Sequence, residues 1–217
     1  MESLLTLTPW VKALIREVLV AFHAFAACVG IGGSFVARLY RAQFMAHKKI
    51  QENHIKIMRF FHHVIMMGLW SLVVSGFALL VFFYFFEPAT LWNAKIYAKI
   101  LLTIYLLFLA VKMSSYIFKT INMQIGKHIF QGLSASDISR LIYYALSTLI
   151  LWISLFVMGS IRWMNLYAHN LWQMFAYMCC YILPLVASFV VVFIMSKVIG
   201  ELIAEILEED DDKDQAV

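Results

Sequence analysis

Long apolar stretches separated by short polar ones are the main pattern of this chain. Five stretches each reach the ~20 residues that a helix needs to cross a bilayer. We place them at about 13–37, 60–86, 95–118, 139–162 and 171–197. Their apolar residues run continuously and do not alternate with polar ones, as they would in the strands of a membrane barrel. The pattern therefore predicts an all-α fold, a polytopic membrane helix bundle of about five transmembrane helices.

The composition agrees with this pattern. The 217 residues are 63% hydrophobic and only 14% charged, whereas soluble domains average roughly 45–50% and about 25%. The net charge of +4 is no signal for nucleic acid, because the basic residues stand at the ends of the predicted spans. We therefore expect a multi-pass protein of the cell inner membrane whose main partner is the lipid bilayer, with no nucleic acid.

The basic residues also predict an orientation. The loop after the first span holds a cluster of them, namely Arg38, Arg41, Lys48, Lys49, Lys56 and Arg59. Cytoplasmic loops carry an excess of Lys and Arg, so we predict the N-terminus outside and the C-terminus in the cytoplasm. Trp10, Trp92, Trp163 and Trp172 then mark the outer interface. Residues 1–200 form the transmembrane domain and 201–217 an acidic cytoplasmic tail, expected to be disordered from about 208 onwards.

The first predicted helix carries a histidine, His23, in the middle of its apolar stretch. An ionisable residue at this depth is a candidate functional residue. Helical spacing puts Arg16, His23, Gly30 and Ser34 on one face. Small residues on such a face allow a second backbone or a flat ligand to approach. We predict that His23 and Gly30 bind a cofactor; the alternative is that His23 only bonds to a neighbouring helix.

The second predicted helix contains further side chains that could bind a metal ion. His63, Met67 and Trp70 share a face, and imidazole and thioether groups suit haem iron or copper. We predict His23, His63 and Met67 as metal ligands, with Trp70 beside the cofactor; the alternative is that they are ordinary interface residues. The levels of His23 and His63 differ by about 10 Å at a rise of 1.5 Å per residue. Binding by His23 alone is therefore the preferred form.

Two lysines lie one turn apart in the third helix, Lys95 and Lys99. Lys99 is the deeper one, so its ammonium needs an anionic partner or a neutral state. The acidic residues at this level are Glu17 and Glu87, and a bound carboxylate would serve equally. We predict Lys95 as a cofactor-binding residue and Lys99, together with Arg16, as catalytic residues.

The first three helices resemble a known family. Helix one has His23, Ala26, Gly33, Phe35 and Arg38, and helix three has YAKILLTIYLL with Lys99 at the position of the family lysine. These residues resemble the membrane protoporphyrinogen oxidases of the HemJ type and, more distantly, the copper-resistance D membrane proteins. The resemblance implies a b-type haem ligated by His23, with Lys99 near a propionate or substrate carboxylate. It also implies electron transfer from a porphyrinogen to a membrane acceptor such as quinone.

Three functions follow as expectations. The first is a haem- or porphyrin-binding redox protein, an oxidoreductase similar to protoporphyrinogen oxidase, with haem b as cofactor. The second is a copper or small-solute transporter. The third is a non-catalytic accessory subunit whose histidines only pack and which binds a membrane-complex partner. A homo-oligomer formed through the face from Gly30 to Ser34 is compatible with each of them.

Overall fold

The computed structural model describes residues 8–45, 49–128, 130–161 and 165–215. They form five long helices, which are α1 (Pro9–Met45), α2 (Glu52–Phe86), α3 (Ala94–Met123), α4 (Ala135–Ser160) and α5 (Leu171–Gln215), with a short 3-10 helix at Pro88–Trp92. Among the described residues there is no β-sheet, and two isolated bridges only tie loops together. The predicted all-α class and the number of long helices are confirmed.

The outer surface of these helices is apolar. Each of the five is long and hydrophobic enough to cross a membrane. Within the apolar 18-residue stretch of each helix, only 11% to 28% is buried inside the protein. A soluble protein would bury such apolar surface, since its exposure to water is unfavourable. The apolar side chains therefore face lipid, and the protein is an integral multi-pass membrane protein.

The helices extend beyond the predicted spans. α1 continues to Met45 and α2 begins at Glu52, because a helix can continue into the polar interface while hydropathy detects only its apolar part. α5 runs unbroken through the tail to Gln215. The acidic segment continues this helix as far as Gln215, and disorder of the tail from about residue 208 stays a prediction.

Glycines bring α1 and α2 unusually close. A Cβ atom on Gly68 would lie 2.6 Å from the backbone nitrogen of Gly30 and 3.2 Å from the carbonyl oxygen of Ala26. The indole of Trp152 from α4 covers the other side of Gly30. Small residues allow such backbone approach in membrane helices. The predicted small-residue face is therefore used for packing among α1, α2 and α4.

The two ends of the bundle are tied by different loops. At one end, here called the Trp92 end, the amide of Ala94 donates to the Leu166 carbonyl at 3.0 Å, and the amide of Ala168 donates to the Trp92 carbonyl at 2.9 Å. At the opposite, Ile50 end, the amide of Gly126 donates to the Ile50 carbonyl at 2.8 Å. These backbone hydrogen bonds hold the loops at the two ends of the bundle in place.

Aromatic residues mark the Trp92 end. Trp10, Trp92 and Trp172 are all exposed there, as residues of an interfacial belt are; Trp163 lies outside the described residues. Their common level agrees with the predicted belt. Which side of the membrane this end faces stays a prediction.

Candidate functional site

His23 is held by a serine of the neighbouring helix. Its Nδ1 lies 2.8 Å from the Oγ of Ser75, a side chain that is only 2% exposed. The Ser75 hydroxyl donates its hydrogen to the backbone, 2.7 Å from the Ser71 carbonyl oxygen. A hydroxyl has one hydrogen, so when Ser75 donates to the Ser71 carbonyl the hydrogen between His23 and Ser75 comes from Nδ1. In the neutral imidazole this arrangement leaves the lone pair on Nε2.

A glycine makes room for this ring. A Cβ atom on Gly76 would lie 3.3 Å from the Cε1 atom of His23, which is tighter than ordinary van der Waals contact. Sequence analysis did not include Ser75 or Gly76 among the site residues. The sequence shows only that Ser75 and Gly76 are small residues inside an otherwise apolar helix. It does not show which neighbouring helix they face.

Lys99 of α3 lies near His23. The two side chains are close enough for their charges to interact, and Lys95 is the other charged neighbour of Lys99. Lys99 is half-buried. Within the described residues its ammonium has no hydrogen-bond acceptor and no carboxylate within 4 Å. The structure therefore places two of the predicted site residues within electrostatic range of each other, and Lys99 has no carboxylate partner among the described residues.

Lys95 has a different environment. Its side chain is buried, with 5% relative exposure. Its Nζ donates to the Ile161 carbonyl at 2.8 Å and to Oδ1 of Asn165 at 3.0 Å. A cation at the C-terminal end of a helix is favourable, since the last carbonyls carry partial negative charge. Lys95 thus joins α3 to the end of α4, and two of its three hydrogens are already used.

Arg16 is paired at the Trp92 end. Its guanidinium contacts Glu17 at 3.0 Å and Glu87 at 3.3 Å. The sequence alone makes these two acids candidate partners of Lys99. That expectation is wrong, because both carboxylates bind the arginine. Partly exposed ion pairs of this kind contribute little stability.

The residues predicted on α2 face outward. Met67 and Trp70 are 63% and 52% exposed, and Nδ1 of His63 lies 2.7 Å from the Arg59 carbonyl oxygen of its own helix. Ser75, the partner of His23, follows His63 by twelve residues, or roughly 18 Å along the axis. One metal ion therefore cannot contact both His23 and His63.

The remaining predicted residue, Gly30, is covered. The indole of Trp152 lies against it on one side and the α2 backbone on the other, so this glycine has no open face for a flat ring. No group of three or more His, Cys, Asp or Glu side chains suited to a metal ion occurs among the described residues. The candidate site thus reduces to His23, its partners Ser75 and Gly76, and Lys99.

Comparison with protein families, curated proteins and solved structures found no match to this chain. The resemblance to the HemJ-type oxidases therefore stays a prediction based on the residues quoted for it.

Proposed function

We propose that this membrane protein binds haem or another porphyrin at His23 and Lys99 and acts as a redox protein similar to protoporphyrinogen oxidase. The observation that carries the proposal is the hydrogen bond from His23 to Ser75. It leaves Nε2 with a free lone pair, the state in which an imidazole binds iron.

Some of the predicted site residues have surroundings that suit a bound porphyrin, and others do not. Histidines that bind metals usually donate their other ring N–H to an outer partner, which fixes the tautomer and the ring plane, and Ser75 has this relation to His23. The Lys99 ammonium can pair with a propionate carboxylate of the porphyrin, and each group then neutralises the charge of the other within the membrane. By contrast, Gly30 is covered by Trp152, Lys95 is engaged with Ile161 and Asn165, and Trp70 points outward. The proposal therefore rests on His23 and Lys99.

Each residue then has a defined task. A bound haem would supply one-electron chemistry, while the protein contributes orientation and electrostatics. His23 would hold the haem iron through Nε2, and Ser75 would keep the imidazole in one tautomer. Lys99 binds a carboxylate of the cofactor or of a porphyrinogen substrate. A quinone of the bilayer is the acceptor that this proposal names.

The test is an absorption spectrum of the detergent-purified protein, made with ample haem supply, before and after dithionite reduction. We expect a Soret band that sharpens on reduction and that His23→Ala abolishes. Ser75→Ala should weaken haem affinity by about 10-fold or more, as loss of an outer partner does. The matched control is His63→Ala, which removes an exposed histidine of α2 and should leave the spectrum unchanged.

Lys99 is tested in the same samples with iron-free porphyrins. Protoporphyrin should bind better than its dimethyl ester, and Lys99→Gln should remove that preference; Lys112→Gln, an exposed lysine of the same helix, should keep it. A colourless protein that binds neither porphyrin contradicts the proposal. Metal analysis of that protein would then separate the copper transporter, which predicts bound copper, from the accessory subunit, which does not.

A further inference from the structure

A narrow cleft opens near the Ile50 end, between α1, α2 and α3. Its polar lining consists of Arg41, His62 and Ser114, one residue from each helix, and its walls are apolar, with Ala37, Ile65 and Ile117 among them. The cleft has a volume of about 30 Å³, which is above the roughly 10–15 Å³ that one water molecule needs by such a measure. It can therefore take a single oxygen-sized group, with the rest of any ligand at its mouth.

The three polar side chains have hydrogen-bonding groups without a partner among the described residues. Arg41 uses its Nε on the Ala37 carbonyl at 3.2 Å, and its two terminal nitrogens have no acceptor among the described residues. His62 packs edge-on against Phe118, with ring centroids 5.3 Å apart, and its ring nitrogens have no hydrogen bond within that part of the chain. The Ser114 hydroxyl is equally without a described partner. Guanidinium, imidazole and hydroxyl groups arranged in this way suit an oxyanion.

The charge balance also requires an anion. Arg38, three residues before Arg41, lies between α1 and α4 and donates only to neutral groups, which are Ser34, the Ala145 carbonyl at 3.0 Å and Oγ1 of Thr148 at 2.8 Å. Its Nε is buried without a partner. No carboxylate of the described residues lies within 4 Å of Arg38 or Arg41. Two guanidinium charges one turn apart at the Ile50 end of α1, with no counter-ion among the described residues, favour the binding of an anion there.

We infer that the cleft binds the phosphate group of an anionic phospholipid. One phosphate oxygen enters between Arg41, His62 and Ser114, and the acyl chains run towards the membrane interior along exposed apolar surface such as Val111. The apolar walls and the position between membrane-spanning helices favour a lipid over a soluble anion. Basic pockets between transmembrane helices bind lipid head groups in this way.

The experiment titrates the detergent-purified full chain with phosphatidylglycerol or phosphatidylcholine and counts bound lipids by native mass spectrometry. We expect phosphatidylglycerol to bind more tightly than phosphatidylcholine. Arg41→Gln should weaken phosphatidylglycerol binding by about fivefold, since one basic residue is removed from the site. Lys119→Gln, which removes an exposed charge at the same end, should have little effect.

Three outcomes overturn the inference. They are equal binding of the two lipids, equal losses in Arg41→Gln and Lys119→Gln, and displacement of phosphatidylglycerol by excess inorganic phosphate, which would assign the cleft to a free anion. If circular dichroism shows that Arg41→Gln does not fold, Ser114→Ala replaces it. That variant removes one donor without a charge and should weaken phosphatidylglycerol binding by about twofold.

Discussion

At the scale of single residues, a glycine on α2 sets the distance between two helices. We predict that Gly68→Ala lowers the free energy of unfolding by about 1–3 kcal/mol, the usual cost of overpacking. The new methyl would meet the backbone of Gly30 at 2.6 Å, and a helix backbone cannot give way as a flexible side chain can. The measurement is the thermal unfolding midpoint in detergent, followed by tryptophan fluorescence.

Gly32→Ala is the matched control for this substitution. A Cβ atom there has no neighbour within 4 Å, and alanine is a better helix former than glycine by roughly 0.5–1 kcal/mol. We expect Gly32→Ala to be as stable as the parent protein or slightly more stable. Equal losses for Gly32→Ala and Gly68→Ala would contradict the proposed close contact.

His23 shows how far single residues could be understood from the sequence. Its position inside an apolar stretch identified it as a candidate, and the structure places Lys99 within electrostatic range of it. Its partner Ser75 lies 52 residues away along the chain. Serine is common in membrane helices, so nothing in its local sequence distinguishes a histidine partner from a residue that bonds only to its own helix.

At the scale of elements, Lys95 joins α3 to the segment that follows α4. We predict that Lys95→Met lowers the free energy of unfolding by about 1–3 kcal/mol, because the bonds to Ile161 and Asn165 are charge-assisted and their acceptors would be left without a donor. The measurement is again the thermal midpoint in detergent. Lys112→Met, on the exposed face of α3, is the control and should change little.

The same variant separates two roles of Lys95. A joining residue changes stability and leaves the porphyrin affinity of the folded protein unaltered. A cofactor-binding residue, as the sequence analysis predicted, lowers that affinity at unchanged stability. A porphyrin titration of Lys95→Met, run at a temperature well below its unfolding midpoint, distinguishes them.

The boundaries of the elements were predicted unevenly. The sequence carries a local signal for the start of α4, because Ser134 stands three residues before Asp137 as in an N-terminal cap, and the Ser134 side chain accepts from the Asp137 amide at 3.3 Å. The extensions of α1 and α2 past the apolar spans were not predicted. Polar residues continue a helix as readily as apolar ones, so hydropathy marks the membrane and not the end of the helix.

At the scale of the whole molecule, five membrane-spanning helices predict that the two ends of the bundle's chain lie on opposite sides of the membrane. We predict that a green fluorescent protein fused to the C-terminus fluoresces and that an alkaline phosphatase fused there is inactive. The basic residues of the α1–α2 loop favour the cytoplasm, and α5 ends on the same side as that loop. Activity of both reporters in a bacterial host gives the measurement.

The control is a pair of fusions placed in the loop between α4 and α5, where the two reporters should show the reverse pattern. An active phosphatase on the C-terminus, together with a fluorescent fusion in that loop, would contradict the predicted orientation. The same result would leave the five-helix bundle itself unaffected.

The sequence by itself determined that this is an all-α membrane protein with five long helices. In lipid, each span must satisfy its backbone hydrogen bonds within itself, which a helix does. A run of about 20 consecutive apolar residues is enough to form such a helix, so the sequence shows it directly. Only the tertiary structure decided which polar groups meet, such as His23 with Ser75, Arg16 with Glu87 and Lys95 with Asn165. The lipid-facing and the packed side of a membrane helix are both apolar, so the pattern along the chain does not show which side faces a neighbouring helix.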